Sequence, residues 1–366
     1  MAPLIRSSYV SWTVVVPVLA VAGLAMAWGR ELSGVAVAVV TTLLAGAVLA
    51  AVHHAEIVAH RVGEPFGSLV LAVAVTVIEV ALIVTLMVGG GGEAQSLARD
   101  TVFAAVMISC NGIVGLSILV GTLRRRVISF NAEGAGAALA TVATLATLSL
   151  VVPTFTTSTP GPQFSPGQLA FAAVTALALY GLFVAVQTGR HRDYFLPVTA
   201  EGAIVEADQH AAPPSARAAL RSLALLLIAL VAVVGDAKLV SPTIEAAVSA
   251  AGLPLSVVGV IIALLVLLPE SLAAVRAAQR ERIQISLNLA FGSAMASIGL
   301  TIPTIAIVSA WLPAPLLLGL GATHIVLLAL TAVVTVLTVV PGRATILQAG
   351  VHLALLAAFL FLAVSP

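Results

Sequence analysis

The chain has 366 residues, of which 61% are hydrophobic and only 8% are charged. A soluble domain carries about 25% charged residues, so the composition excludes a soluble globular protein and predicts that lipid surrounds most of it. The net charge of +1 does not indicate a nucleic-acid partner, and because the sequence has no basic patch, none is expected. The single cysteine, Cys110, excludes an internal disulfide framework. No cofactor is expected, and the sequence does not define an oligomeric state.

Eleven apolar runs are long enough to cross a bilayer, which takes about 20 residues in a helix. The sequence therefore predicts an all-α integral membrane protein with 11 transmembrane helices. The first run also fits a cleavable signal peptide, because Arg6 precedes it and "AMA" ends it. The predicted spans are 10–28, 35–59, 65–89, 101–123, 134–153, 168–188, 217–235, 254–275, 284–310, 313–339 and 344–364.

The placement of lysine and arginine predicts the orientation, because cytoplasmic loops are enriched in both residues. If the N-terminus is cytoplasmic, the external loops hold only Arg30, Arg99 and Lys238. We therefore predict a multi-pass protein of the bacterial cytoplasmic membrane, with the N-terminus inside and the C-terminus outside. The cytoplasmic segments then hold the remaining basic residues: Arg6, Arg61, Arg124, Arg125, Arg126, Arg190, Arg192, Arg217, Arg221, Arg276, Arg280, Arg282 and Arg343.

The spans after the first form two similar groups of five. The third and eighth runs both begin with Gly-x-Pro, at Gly63 and Gly252, and each continues to one acid, Glu79 or Glu270. Because five spans is an odd number, the two groups must insert in opposite orientations, as in the inverted repeats of secondary transporters. The predicted layout is an N-terminal helix (1–30), a first repeat (31–188), a cytoplasmic central loop (189–216) and a second repeat (217–366).

Glu79 and Glu270 are the candidate cation and proton site. An unpaired charge at the bilayer centre costs from about 2.5 to more than 10 kcal/mol, so each acid must be protonated, paired with a cation or exposed to water. Pro269 lacks an N–H, which leaves the carbonyl of Leu265 without its helical partner. Ca²⁺ takes six to eight oxygen ligands, and the further candidates are Thr76, Asn111, Ser293 and Ser297.

The two acids also predict a mechanism. Either one divalent cation or two protons neutralises two carboxylates, so competition for the pair couples the two fluxes. Rocking of one helix bundle against the other would expose the site to alternate sides. Na⁺ or K⁺ in place of Ca²⁺ is an alternative. A channel is less consistent with the sequence, because each acid occurs once per repeat rather than in a ring.

The stretch "VHHAEIVAHRVGE" (52–64) ends the second span and offers two further interpretations. His53, Glu56 and His60 fall on one helix face, which raises the alternative of an intramembrane metalloenzyme, although the H-E-x-x-H spacing is missing. The other interpretation is a cytoplasmic vestibule that collects cations or relays protons. Its candidate residues are His53, His54, Glu56, His60 and Glu64.

At these residues the chain resembles the cation/Ca²⁺ exchanger superfamily, and most closely the bacterial calcium/proton antiporters of the ChaA type. The resemblance is carried by residues 59–83, 98–108 and 267–303. It implies eleven spans, exchange of cytoplasmic Ca²⁺ for protons, and the paired acids as the cation site; members are also linked to Na⁺ or K⁺ exchange. This sequence departs from the Gly-Asn-x-x-Glu pattern of plant and fungal exchangers, because Thr76 and Leu267 stand at the positions of the asparagines.

Overall fold

The computed structural model describes residues 11–30, 32–63, 66–89, 95–198, 214–254, 256–311 and 315–366. These residues form helices joined by short loops, and Arg6, Glu64 and most of the central loop lie outside them. The eleven main helices are α1 (Trp12–Ala27), α2 (Gly34–Val62), α3 (Phe66–Gly89), α4 (Leu97–Arg124), α5 (Ala132–Phe155), α6 (Pro166–Arg190), α7 (Ala216–Ala250), α8 (Ser256–Gln279), α9 (Ile283–Val308), α10 (Ala322–Val339) and α11 (Ile346–Val364).

Within the described residues, nine helices are long and apolar enough to cross a membrane. Two shorter apolar stretches, Trp12–Ala27 and Val73–Met87, coincide with the first and third predicted spans. The prediction of a helical membrane protein is therefore confirmed. Short 3₁₀ helices lie at Arg192–Phe195 and Ser309–Trp311.

Several helices begin where the sequence supplies a capping side chain. The hydroxyls of Ser33 and Ser215 accept hydrogen bonds from the backbone N–H groups three residues later. Ser165 and Thr345 each form a capping box with a glutamine, which satisfies N–H groups in both directions. The apolar runs thus begin as helices at defined residues.

One face of the bundle, here called the strand-pair face, is held together by a short sheet. Strand β1 (Ile128–Ser129) follows α4 and pairs antiparallel with β2 (Arg343–Ala344), which precedes α11. On the same face Arg125 forms a 2.6 Å ion pair with Glu281 in the α8–α9 turn. The hydrogen bond from the Arg125 guanidinium lowers the pKa of Glu281. These contacts join loops that the predicted alternation places on one side of the membrane.

The opposite face, here called the extended-segment face, contains residues 315–321, which precede α10 without helical structure. The prediction of a helix from 313 is wrong here. Backbone groups of this segment form hydrogen bonds with other loops: Leu317 N–H donates to Gln95 O at 3.2 Å, and Gly319 N–H donates to Pro162 O at 2.9 Å. Irregular backbone at membrane depth is tolerated where protein surrounds it, and Leu318 and Leu320 are both buried.

Helix α7 is longer than predicted. The seventh span was expected to end at 235, but α7 continues through Pro242 to Ala250, for 35 residues in total. At 1.5 Å per residue this corresponds to about 52 Å, more than a bilayer core requires. A hydrogen bond of 2.8 Å from Ser241 to Glu245 supports the continuation one turn later.

Equivalent helices of the two predicted groups make reciprocal contacts. Helix α9 packs against α3, α5 and α6, while α4 packs against α8, α10 and α11. Gly63 and Gly252, which precede α3 and α8, both have left-handed backbone conformations, with φ of 77° and 68°. This region of φ favours glycine, so the two Gly-x-Pro positions share a conformational requirement.

Candidate cation site

The two acids predicted as the site line the same cavity. The cavity has a volume of about 240 Å³ and lies between α3, α6, α8 and α9, with Ala105 of α4 at its wall. Glu79 on α3 and Glu270 on α8 are both among its lining residues, and so are Thr76, Ser293 and Ser297. Five of the six predicted ligands are thereby brought together from distant parts of the chain.

The carboxyl group of Glu79 is buried and hydrogen-bonded. Only 3% of the residue is exposed, and Oε1 accepts a hydrogen bond of 2.6 Å from the Ser297 hydroxyl of α9. Thr301, one turn further along α9, is fully buried, and its hydroxyl has no hydrogen-bond partner among the described residues. Burial of an acid inside a membrane requires hydrogen-bond donors, a cation or a proton.

Glu270 has a different environment. Helix α8 continues through Pro269, and the hydroxyl of the next residue, Ser271, donates to Leu267 O at 2.7 Å. The buried Oε2 of Glu270 has no hydrogen-bond partner in the part of the chain that the structure describes. Glu56 and Glu79 both interact electrostatically with Glu270. An oxygen without a donor in this position is suited to bind a cation or a proton.

Two polar residues of the cavity, Gln187 and Asn288, were not among the predicted site residues. Asn288 donates to Phe195 O at 2.7 Å and accepts from Gln284 at 3.0 Å. In the sequence, Asn288 could have been found from the four-residue spacing of Gln284, Asn288 and Gly292, which places these residues on one face of α9. Both cavity residues lie at the ends of α6 and α9 near the strand-pair face, so the cavity extends toward that face.

Beyond the acids, toward the extended-segment face, α4 and α8 are in close contact. A Cβ built on Gly259 of α8 would lie 2.9 Å from the backbone nitrogen of Thr101 in α4. Thr101 is fully buried. On that side of the acids α4 and α8 are therefore closely packed, while the cavity residues Gln187 and Asn288 lie toward the strand-pair face.

Asn111, the sixth predicted ligand, has its contacts elsewhere. It lies in a π-helical turn of α4, Ile108–Ile113, where its amide donates to Thr331 Oγ1 at 3.0 Å. Nδ1 of His352 lies 3.2 Å from its carbonyl oxygen and donates to it. The wider turn changes the direction of side chains relative to a regular α-helix, so in this conformation Asn111 joins α4 to α10 and α11.

The predicted vestibule residues divide into two groups. His54 is buried, and its Nε2 donates to Thr13 O at 2.9 Å while Nδ1 accepts from Ser222 at 3.3 Å. It therefore packs α1, α2 and α7 together. His53, Glu56 and His60 are exposed, and Glu64 is outside the described residues.

The residues in the described ranges include no group of three or more His, Cys, Asp or Glu side chains placed to hold a metal ion. The predicted trio of His53, Glu56 and His60 therefore does not form such a group. Glu56 instead interacts electrostatically with His53 and Arg276.

Comparison with known proteins identifies the family. The model of the sodium/calcium exchanger protein family matches residues 32–189 and 221–365. The putative ionic transporter y4hA of Sinorhizobium fredii is 46% identical and aligns with 99% of this chain and 98% of its own length. The sodium-potassium/proton antiporter ChaA of Escherichia coli is 33% identical, with 97% of each chain aligned.

Two solved structures have the same fold at low sequence identity. Native YfkE superposes with a TM-score of 0.70 at 16% identity, covering 97% of this chain and 99% of that one. The H⁺/Ca²⁺ exchanger CAX superposes with a TM-score of 0.67, also at 16% identity, covering 96% and 91%. Because the sequence relatives are transporters, the metalloenzyme interpretation is wrong. The chain belongs to the sodium/calcium exchanger protein family, within the cation/Ca²⁺ exchanger superfamily, and is a multi-pass membrane antiporter similar to ChaA.

Proposed function

We propose that the chain is a secondary active transporter that exchanges cytoplasmic Ca²⁺ for external protons by alternating access. Both ions compete for Glu79 and Glu270. The observation that carries this proposal is the shared cavity, in which the two acids from the two halves of the chain face the same space. A carrier with one central site needs this arrangement.

The charge of the site favours a divalent cation. Two carboxylates are neutralised by one Ca²⁺ or by two protons, and an empty site with two charges is costly in a low dielectric. Ca²⁺ binds six to eight oxygens at about 2.3–2.6 Å. The hydroxyls of Thr76, Ser293 and Ser297 line the cavity together with the acids, and water would complete the shell.

The proposed architecture has eleven spans: one N-terminal helix followed by two inverted repeats, 31–188 and 217–366, joined by the loop 189–216. The reciprocal packing of α4 and α9 supports this layout. In the bacterial inner membrane, the excess of basic residues supports a cytoplasmic location of the strand-pair face. The cavity of this conformation then opens toward the cytoplasm, ready to receive Ca²⁺.

A second candidate is exchange of Na⁺ or K⁺ for protons on the same fold. The name of the relative that is 33% identical, a sodium-potassium/proton antiporter, favours it. A monovalent cation needs one ionised carboxylate, and the two acids have different surroundings, since Glu79 is bonded to Ser297 while one oxygen of Glu270 lacks a partner. The vestibule around Glu56 would serve either cation.

The test is ion-triggered proton movement in proteoliposomes that contain a pH dye and an imposed pH gradient. Ca²⁺, Na⁺, K⁺ and Mg²⁺ are added separately to the wild type, Glu79→Gln and Glu270→Gln. We expect Ca²⁺ to trigger proton movement and both variants to lose it, because glutamine keeps the volume but does not titrate. Glu133→Gln, which removes an exposed acid, is the matched control.

A response to Na⁺ or K⁺ alone would replace the cation in the proposal and retain the site. Wild-type activity in both cavity variants would reject the site.

A further inference from the structure

Asp236 on α7 is a buried acid outside the cation cavity. Only 1% of the residue is exposed. Neither carboxylate oxygen has a hydrogen-bond partner in the described parts of the chain. Glu79, by comparison, is buried to a similar degree but accepts a hydrogen bond from Ser297. Among the described residues, Asp236 therefore has no hydrogen-bond donor that would stabilise an ionised carboxylate.

The residue lies just below the extended-segment face. It is 20 residues from the start of α7, or about 30 Å along the helix axis. Two residues later Lys238 is exposed, and its Nζ lies 5.4 Å from the centroid of the Trp28 ring. Tryptophan and lysine are typical of the membrane–water interface, so Asp236 is within about one helical turn of that boundary.

Helix α1 covers this position. A Cβ built on the preceding residue, Gly235, would lie 2.2 Å from Cδ2 of Leu24, so the two helices are in close contact beside Asp236. The buried neighbours along α7, Val233, Ala237 and Val240, belong to an apolar cluster with residues of α1, α2 and α3. Water on the extended-segment face is thus excluded by α1.

The charged groups on the surrounding helices do not compensate Asp236. Helix α1 has no titratable side chain between its first and last residues. On α3 the titratable group is Glu79, and on α8 the groups are Glu270 and Arg276. On α7 the nearest groups are Lys238, which is exposed, and Glu245, which is bonded to Ser241. The titratable groups of α2 lie toward its other end, at His53, His54, Glu56, His60 and Arg61.

We propose that Asp236 is a further proton-binding site, and that it exchanges its proton with the extended-segment face when α1 and α7 shift against each other. An uncompensated charge inside the membrane is costly, so in the present conformation the carboxyl group holds a proton. The role in transport depends on the proposed function. Ca²⁺ exchanged for two protons at Glu79 and Glu270 is electroneutral. A third proton, taken up by Asp236 from the extended-segment face and released to the strand-pair face in each cycle, would move one positive charge inward.

Infrared spectroscopy of the purified protein tests the proton site independently of transport. We expect the wild type to show a protonated carboxyl C=O band that Asp236→Asn lacks. Leu24→Ala should make this band titrate with pH, because it removes the side chain of α1 that packs beside Asp236 and keeps water out. Leu19→Ala, at a residue that is 51% exposed, should leave the band unchanged. If Asp236→Asn removes no such band, the proton site is rejected.

Transport by the same variants tests the role of the proton. In proteoliposomes with an imposed membrane potential, we expect Ca²⁺-triggered proton movement to depend on voltage in the wild type and to lose this dependence in Asp236→Asn. The same voltage dependence in both would show that the proton is merely structural and would overturn the role. A wild type that moves no protons with any cation would instead reject the proposed function, and the infrared band would still decide the proton site.

Discussion

Ser297 of α9 donates a hydrogen bond of 2.6 Å to the carboxyl group of Glu79 on α3. The two helices belong to different predicted repeats, so the bond connects the two halves of the chain at the candidate site. It also distinguishes the two acids, because one oxygen of Glu270 has no partner among the described residues. The two carboxyl groups are therefore expected to respond differently when their surroundings are changed.

Ser297→Ala is expected to weaken cation binding. A hydrogen bond to a charged group contributes about 1.5–3 kcal/mol, which corresponds to roughly a tenfold to hundredfold higher cation concentration for half-maximal exchange. Ser293→Ala is the matched control, since Ser293 lines the same cavity and is expected to have a smaller effect. Concentration dependence of proton movement in proteoliposomes measures both. Equal effects of the two substitutions would contradict a specific role for the Ser297–Glu79 bond.

Glu56→Gln tests the vestibule. Glu56 is exposed and interacts electrostatically with Glu270, so its charge should raise the local concentration of cations near the cavity. Exposed charges contribute about 0.2–1 kcal/mol, and we expect up to roughly a fivefold slower exchange at low cation concentration. The difference from wild type should disappear at high salt, because ions screen exposed charges. A loss that persists at high salt would assign Glu56 to the binding site itself.

The sequence alone was sufficient to predict the helical membrane fold and to single out Glu79 and Glu270, which line one cavity. Both predictions follow from large free-energy costs. Apolar surface must contact lipid, and a carboxyl group in a membrane must be protonated, paired with a cation or exposed to water. The meeting of Glu79 and Glu270 in one cavity was expected from the predicted inverted repeats, whose matched positions are expected to lie near the centre.

Other features were not predictable from hydropathy. Residues 315–321 are apolar, and an apolar run does not distinguish a helix from extended backbone buried among loops. The contacts of Asn111 depend on a π-helical turn, which changes the direction of the side chain and has no clear sequence signal. The end of α7 was missed because a helix can continue beyond the membrane, where the apolar pattern stops.

Asn111→Ala is expected to reduce stability. The substitution leaves Nδ1 of His352 without its acceptor and removes the donor to the Thr331 hydroxyl, which keeps its own hydrogen bond to Met107 Sδ. A buried unsatisfied group costs about 1–3 kcal/mol. We therefore expect a lower Tm in detergent, with the cation dependence of the remaining exchange nearly unchanged. Thr304→Ala, which removes a hydroxyl on an exposed surface of α9, is the control. Weaker cation binding at an unchanged Tm would indicate that Asn111 is a ligand in another conformation.

The orientation of the chain can be tested with single cysteines. The native Cys110 is buried, so the wild type is expected to react little with a membrane-impermeant maleimide. Ser158→Cys places a thiol on the extended-segment face, between α5 and α6, and Arg280→Cys places one on the strand-pair face, in the α8–α9 turn; both positions are exposed.

In intact cells whose outer membrane admits the reagent, we expect labelling at position 158 and protection at position 280. Inverted inner-membrane vesicles should give the reverse, because the basic residues favour a cytoplasmic strand-pair face. The opposite pattern would invert the proposed topology and make the cavity of this conformation open to the outside. Labelling of both positions from one side would contradict the alternation of spans between them.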